Sequence, residues 1–266
     1  MKQRITTGII AGGAFLLLCL LGGLWYHSLL LVMALIGYYE FVRMTKLSPF
    51  GAVAMIGYVG VLMFIFPWKL LHVPLPFPLE HGLWVFMLLF LVFTVTSKNV
   101  FNIKHAALMF IGMVYIGVGF SYIAESRNTD DGHGLFWTFL LLASIWASDA
   151  GAYFTGKFIG KHKLWPAISP NKTVEGAAGG VIIAVIVAVI FSVISPDLLS
   201  FGRACAIGFI AAVVGQMGDL VQSAYKRVYD IKDSGNILPG HGGILDRCDS
   251  WLTVFPLIHI LMLLPY

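Results

Sequence analysis

The sequence predicts an all-α integral membrane protein of about nine transmembrane helices, and three observations carry that reading. Of its 266 residues, 59% are hydrophobic and only 11% charged, with a mean hydropathy of +0.87; a soluble domain carries roughly a quarter charged residues. Its apolar runs follow one another too closely to leave room for a separate soluble domain. Its cations are divided very unevenly between the two alternating sets of connecting segments.

Crossing the hydrocarbon core takes about 20 mostly apolar residues as a helix. The runs that approach this length are 5–23, 25–42, 51–68, 82–97, 104–124, 135–155, 174–194, 203–223 and 251–265, the fourth and ninth being short. The first follows Met1-Lys2-Gln3-Arg4, a beginning shared with signal peptides. It shows no small-x-small cleavage site and passes almost directly into the second, so it reads as a retained helix. Gly8-xxx-Gly12 and Gly176-xxx-Gly180 are small-residue faces suited to close helix packing, although the ordinary glycine content of membrane helices explains them about equally well.

Of the 17 Lys and Arg residues, only Lys69, Arg127 and Arg203 fall in the segments opposite the N-terminus, and the other 14 fall on its side. The positive-inside rule then puts the N-terminus in the cytoplasm and the C-terminus across the membrane. The outer segments read as solvated loops, including the one that carries Asp130, Asp131 and His133. No internal repeat is evident, which weakens a transporter built from inverted halves. Cys19, Cys205 and Cys248 form neither a disulfide framework nor a zinc motif. No basic patch interleaved with stacking aromatics lies outside the apolar runs, which excludes a nucleic-acid partner.

Two regions follow. Residues 1–140 are N-terminal transmembrane helices, a scaffold that could carry oligomer contacts, with a homodimer as the candidate assembly. Residues 141–266 form a C-terminal catalytic region with cytoplasmic loops 156–173 and 224–250. These two loops hold eight of the inner cations: Lys157, Lys161, Lys163, Lys172, Lys226, Arg227, Lys232 and Arg247. Topology needs only a few, and the excess points to an anionic ligand. Gly151-xxxx-Gly156-Lys157 has the outline of a P-loop, but Phe158 stands where a hydroxyl is required and an apolar helix precedes it instead of a strand, so that motif is rejected. Ser169-Pro170-Asn171-Lys172 predicts a helix start, with Ser169 as N-cap and Pro170 at the first helical position. Lys172 beside a helix N-terminus could then meet a phosphate.

Asp149 and Asp219 lie inside apolar runs, where a charge is costly unless it is paired, bound to metal or facing water. The plain alternative for each is an ion pair or hydrogen bond between helices. From Asp219 a helix presents Gln222, Ser223 and Lys226 on the same face. Asp246 and Asp249, three residues apart, would share the first turn of the ninth helix, where the dipole favours their ionised forms. Magnesium binds through one or two carboxylates plus substrate phosphates, and such a pair would suit it. His241 has no partner at metal-ligand spacing, while Gly242 and Gly243 lack the Cβ that would keep a phosphate away from the backbone.

The stretch Ser223–Asp249 resembles the C-terminal signature of the bacterial phosphatidate cytidylyltransferases, or CDP-diacylglycerol synthases. The positions that match are Ser223, Lys226-Arg227, Lys232-Asp233, Gly235, Pro239, His241-Gly242-Gly243, Asp246-Arg247 and Asp249. Upstream, Asp149, Gly151-Ala152-Tyr153-Phe154, Gly160-Lys161, Ser169-Pro170, Lys172-Thr173, Glu175-Gly176 and Gly218-Asp219-Leu220 are similar too. Tyr225 and Cys248 depart from the usual apolar residues. The resemblance covers about residues 145–255, and the first 140 residues match only as apolar spans.

The resemblance implies that CTP and phosphatidate give CDP-diacylglycerol and pyrophosphate with Mg2+, a second metal ion being open, in phospholipid biosynthesis at the cytosolic face of a bacterial inner membrane. It further implies catalytic roles for Asp219, Asp246, Asp249, Lys226 and Arg227, with metal at the three aspartates and Asp149 as a further candidate. Lys161 and Lys172 would hold the triphosphate, and Lys226, Arg227, Lys232 and Arg247 either that or the lipid phosphate. Ser169, Ser223, His241, Gly242 and Gly243 complete the substrate contacts, among membrane lipids. The rival from another class is a cation-coupled transporter using Asp149 and Asp219. A membrane transferase using CDP-linked lipids would need D-G-x2-A-R…G-x3-D-x3-D, which does not occur here. Cysteines placed at positions 128 and 236, in a background without the native three, should label from opposite sides of the membrane; labelling from one side for both would overturn the topology.

Overall fold

The computed structural model describes residues 2–237 and 239–265, with the backbone alone over 2–5, so the Lys2 and Arg4 side chains counted among the inner cations lie outside the described residues. In chain order the helices are α1 (Lys2–Leu21), α2 (Gly23–Met44), α3 (Ala52–Ile65), α4 (Leu79–Thr96), α5 (Ile103–Glu125) and α6 (Gly134–Ile159). A short hairpin follows, β1 (Lys163–Trp165) and β2 (Ser169–Thr173), then α7 (Val174–Ile194), α8 (Phe201–Val228), α9 (Leu245–Cys248) and α10 (Trp251–Ile260). Among the described residues, α2, α4, α5, α6, α7 and α8 are long and apolar enough to cross a membrane. Thr6–Leu21, Ala52–Ile65 and Trp251–Ile260 are apolar but shorter. The helical membrane character is therefore borne out; among the described residues six helices are long and apolar enough to span, which does not support the expected count of nine.

The chain divides into two compact units: Met1–Ala124 with Asp233–Leu245, and Glu125–Lys232 with Asp246–Tyr266. Between helices in a membrane, water gives no hydrophobic drive, so close approach and dispersion must hold them together. The first unit shows this at Gly57, where a Cβ would collide with the Tyr38 ring, and at Gly112, where one would collide with Phe41. The Gly8/Gly12 face does not pack on another helix among the described residues: the space beside Gly8 is taken by the His241 ring, and no described residue of another element lies within 4 Å of a Cβ placed at Gly12.

In the second unit the small face of α7 packs on α6. A Cβ on Gly176 would strike the Ala152 carbonyl, and one on Gly180 the Ser148 carbonyl. α8 approaches α7 in the same way through Gly208, against Val185 and the Ala184 carbonyl. α10 is fastened to α8 by hydroxyls, Ser250 Oγ donating to the Gly215 carbonyl at 3.0 Å and Thr253 Oγ1 to Val214 at 3.2 Å.

The expected helix start at Ser169-Pro170 is corrected: Ser169 opens β2, and α7 begins four residues later with Thr173 as its N-cap, accepting the Gly176 N–H at 3.1 Å. Both residues carry N-cap chemistry, and the pairing of Lys163 with Thr173 and Trp165 with Ser169 decides between them. The Asp131 carboxylate accepts from Thr129 Oγ1, the His133 N–H and Trp137 Nε1, a fully local use that agrees with a loop and not a cation site.

Arg203 opens α8. Its Nε donates to the Leu263 carbonyl at 2.6 Å, and its guanidinium lies 5.1 Å from the Trp137 ring centroid. Arg203→Ala should lower stability by about 1–2 kcal/mol, read as a lower thermal midpoint in detergent, and Arg203→Lys should recover less than half of it because an ammonium cannot make both contacts in that plane.

Candidate active site

The second unit contains a cavity of about 430 Å3 whose polar wall includes Asp149, Lys157, Asn171, Lys172, Gln216 and Asp219. Four elements build it, α7 contributing Gly176 and Ala177. α6 supplies Asp149, Ala152, Tyr153, Gly156 and Lys157, which is one face of a helix counted in steps of three and four from Asp149. The hairpin supplies Leu164, Asn171 and Lys172, and α8 supplies Gln216 and Asp219. Gln216 ties the helices together beneath, its Nε2 donating to Ser148 Oγ at 3.3 Å and to the Ala177 carbonyl at 3.2 Å.

Charge is matched locally. Lys172 Nζ stands 2.6 Å from Asp219 Oδ2, while Ser223 Oγ donates to Asp219 Oδ1 at 3.3 Å. One turn on, Lys226 Nζ is 2.8 Å from Asp246 Oδ1, and the Asp246 side chain is only 4% exposed. Asp249 is placed differently from the sequence expectation. Asp246 lies on the four-residue α9 and Asp249 in the turn before α10, so the two do not share one helical turn. Gly218 makes room for this turn, since a Cβ there would strike the Asp249 carbonyl. Burial pushes the Asp249 carboxyl up to about 7, and the Asp219 and Asp149 charges push the same way against the Ser250 N–H and the Lys226 ammonium.

The remaining sequence candidates are spread more widely. Lys161, Lys232 and Arg247 are exposed. Arg227 Nε donates to the Ile168 carbonyl at the hairpin tip, at 3.1 Å. Ser169 lies in β2. His241, Gly242 and Gly243 belong to the first unit; the His241 ring packs on Gly8, and its buried Nδ1 has no hydrogen-bond partner among the described residues. Gln222, on the Asp219 face of α8, is 1% exposed and neither of its amide atoms has a partner there.

Two groups escaped sequence reasoning. Lys157 counts among the loop cations but has no individual role once the P-loop outline fails, and it reaches the cavity from a helix, 5.9 Å from the Tyr153 ring centroid. The helical spacing from Asp149 was the signal that could have found it. Glu40 is the other. It is a carboxylate inside the apolar run 25–42, 1% exposed, and it holds the signature loop of the first unit. The Ser234 hydroxyl and the N–H groups of Ile244 and Leu245 all donate to it at 3.0–3.1 Å. A Cβ at Gly235 or Gly243 would run into its carboxylate, so Gly243 has a structural reason to be glycine.

The donor set can be tested for a divalent cation. Among the described residues, no three His, Cys, Asp or Glu side chains gather closely enough to hold a metal by themselves. Asp149 and Asp219 nevertheless line one cavity, and Asp249 feels the charge of both. Oxygen donors in that number, short of a full cage, fit a hard cation that takes the rest of its shell from phosphates and water.

Carboxylates and ammonium groups around one cavity in a bundle of apolar helices are the equipment of a group-transfer enzyme acting on phosphates. The family described as "Cytidylyltransferase family" matches residues 2–264, and the chain belongs to that family. It is 44% identical over 266 residues to phosphatidate cytidylyltransferase of Bacillus subtilis (strain 168), covering 99% of this chain and 98% of that one. It is 38% identical over 273 residues to the protein of the same name from Staphylococcus saprophyticus, covering 99% of each.

Removing the Glu40 carboxylate leaves several buried donors unanswered, at about 1–3 kcal/mol each. Glu40→Ala should therefore cost about 3 kcal/mol or more and open the 233–245 loop to protease, while Glu40→Gln, which keeps one acceptor oxygen, should cost less than half as much. Equal cleavage rates in wild type and Glu40→Ala would show that the loop is held by something else.

Proposed function

We propose that the chain is a phosphatidate cytidylyltransferase of a bacterial inner membrane, joining CTP to phosphatidate and releasing pyrophosphate at the cytosolic face. The observation that carries this reading is the one cavity that gathers Lys157 and Lys172 with Asp149 and Asp219 among apolar helices. A water-soluble triphosphate and a lipid phosphate must meet where cations face an apolar wall. Full-length likeness to proteins bearing the name supports the same substrates.

In the reaction a phosphatidate oxygen attacks the α-phosphorus of CTP and forms a new P–O bond, while the bond to the β-phosphate oxygen breaks and pyrophosphate leaves in line. The nucleophile is an already ionised phosphate, so no side chain is needed as a general base. The work left to the protein is positioning and electrostatic stabilisation. Lys157 and Lys172 reach the cavity from two elements, and we assign them to the triphosphate, with Lys161 nearby on the loop before β1. Lys226 and Arg227, at the end of α8, are assigned to phosphate at the inner surface with Lys232 and Arg247. Ser169, Ser223, His241, Gly242 and Gly243 remain proposed substrate contacts. Arg227 can keep its Nε on the hairpin and still offer the rest of its guanidinium fork.

Asp219 and Asp249, with Asp149 and Asp246, would hold a divalent cation, for which Mg2+ is proposed. Such a cation supplies positive charge between the carboxylates and the phosphates. Lys172 and Lys226 meanwhile neutralise Asp219 and Asp246, and these ammonium groups are the ones placed to turn to substrate phosphate. A transporter would use Asp149 and Asp219 as well, but it would give flux without chemistry.

Detergent-purified protein incubated with labelled CTP, short-chain phosphatidate and Mg2+ should form lipid-soluble cytidine label and stoichiometric pyrophosphate. Asp219→Asn and Asp249→Asn should each reduce this by at least about a hundredfold without loss of the folded protein. Full magnesium-dependent pyrophosphate release by Asp249→Asn would overturn the metal assignment, and absence of lipid label in every divalent metal would overturn the reaction.

A further inference from the structure

The hairpin β1–β2 carries Leu164, Asn171, Lys172 and Thr173 into the cavity, and apart from the Lys172–Asp219 ion pair its own strand pairing gives it little rigidity. Its strands are three and five residues long, and their pairing is irregular between Lys163 and Trp165. An isolated two-stranded hairpin is marginal at best in water. A lysine that must meet a phosphate within a few tenths of an ångström needs a firmer mount.

Glu175, in the first turn of α7, provides it. Its Oε2 accepts the Lys161 N–H at 3.0 Å and the His162 N–H at 3.2 Å, and its Oε1 lies 2.6 Å from His162 Nδ1. Beside it the Val174 N–H donates to the His162 carbonyl at 2.9 Å. One carboxylate thus gathers the chain just ahead of β1 onto the helix that directly follows β2. The opposite end of the hairpin is tied by Arg227 Nε to the Ile168 carbonyl. An acidic residue in a first helical turn is ordinarily accounted for by the helix dipole, but the dipole does not require that both oxygens be occupied by the preceding loop.

We propose that Glu175 is a positioning residue for the transfer reaction: it seats the β1–β2 hairpin so that Lys172 and Asn171 meet the triphosphate of CTP. Glu175 does not line the cavity and touches no reacting group there. It acts through the hairpin, with His162 as its partner and Arg227 as the second fastening. The inference rests on the cavity being the nucleotide site.

The test uses the full-length protein in detergent or nanodiscs. Glu175→Ala should raise KM for CTP about tenfold, leave KM for phosphatidate within about twofold, and speed tryptic cleavage after Lys161 or Lys163. Its melting temperature should stay close to wild type. Glu175→Gln, with one acceptor oxygen kept, should recover most of the CTP affinity, and His162→Ala, which leaves both backbone donors, should give a smaller rise. Wild-type KM for CTP in Glu175→Ala would overturn the inference. So would a parallel loss of kcat, both KM values and melting temperature, which marks a merely structural role. A wild-type protein that transfers label beside an unaffected Glu175→Ala sinks this inference alone; a wild type that transfers none sinks the reading beneath it.

Discussion

The ion pair between Lys172 and Asp219 is the contact on which the second unit turns. A carboxylate on an apolar helix is tolerated only with compensation, and here the compensation comes from a hairpin more than forty residues earlier in the chain. Bringing that hairpin to α8 requires α6 and α7 to lie against each other, because the hairpin is the connection between them. Gly176, Gly179 and Gly180 allow this by leaving room for Ala152, Thr155 and Ser148. Small residues in the spans and charged residues at their ends are therefore one arrangement: helices packed by glycine bring the matching charges to one cavity.

What the sequence could show was set by periodicity and by cost. Apolar runs revealed the helices, and Asp149 and Asp219 stood out because a charge in such a run needs a reason. Glu40 obeyed the same rule but sat among residues read only as scaffold, and the loop it binds lies some two hundred positions away in the chain. The hairpin was illegible for a different reason. Ser169-Pro170 carries the chemistry of a helix start, and so does Thr173 four residues later. Only the cross-strand pairing chooses between them, and a three-residue strand leaves no alternation to read. Asp246 and Asp249 were separated by the turn between α9 and α10, which spacing alone does not reveal.

Glycines in a signature sequence are readily taken as openings for a ligand. Gly243 shows the second use of a missing Cβ: the space is occupied by the Glu40 carboxylate, whose oxygens also take the Ile244 and Leu245 N–H groups at the start of α9. Gly218 is similar, since it admits the backbone of Asp249. Both glycines sit next to proposed functional groups and serve them by placing backbone. A positively rotated residue such as Gly242, at φ +84°, adds a conformational requirement to these steric ones. The signature is thus a folding instruction as much as a set of contacts.

The charge arrangement also suggests why the site needs so many lysines. Asp219 and Asp246 each face an ammonium group at ion-pair distance, while burial and then the neighbouring carboxylates raise the Asp249 pKa. A set of acidic groups with no cation among them would repel itself in surroundings that screen charge poorly. Lysines mounted on flexible stems hold the set together and, in the proposed reaction, would still reach a phosphate, which a rigid guanidinium fork would do less readily. On this view the ammonium groups have two partners in turn, carboxylate and then phosphate. The short hairpin that carries Lys172 must be fastened firmly enough to keep that exchange within reach of both.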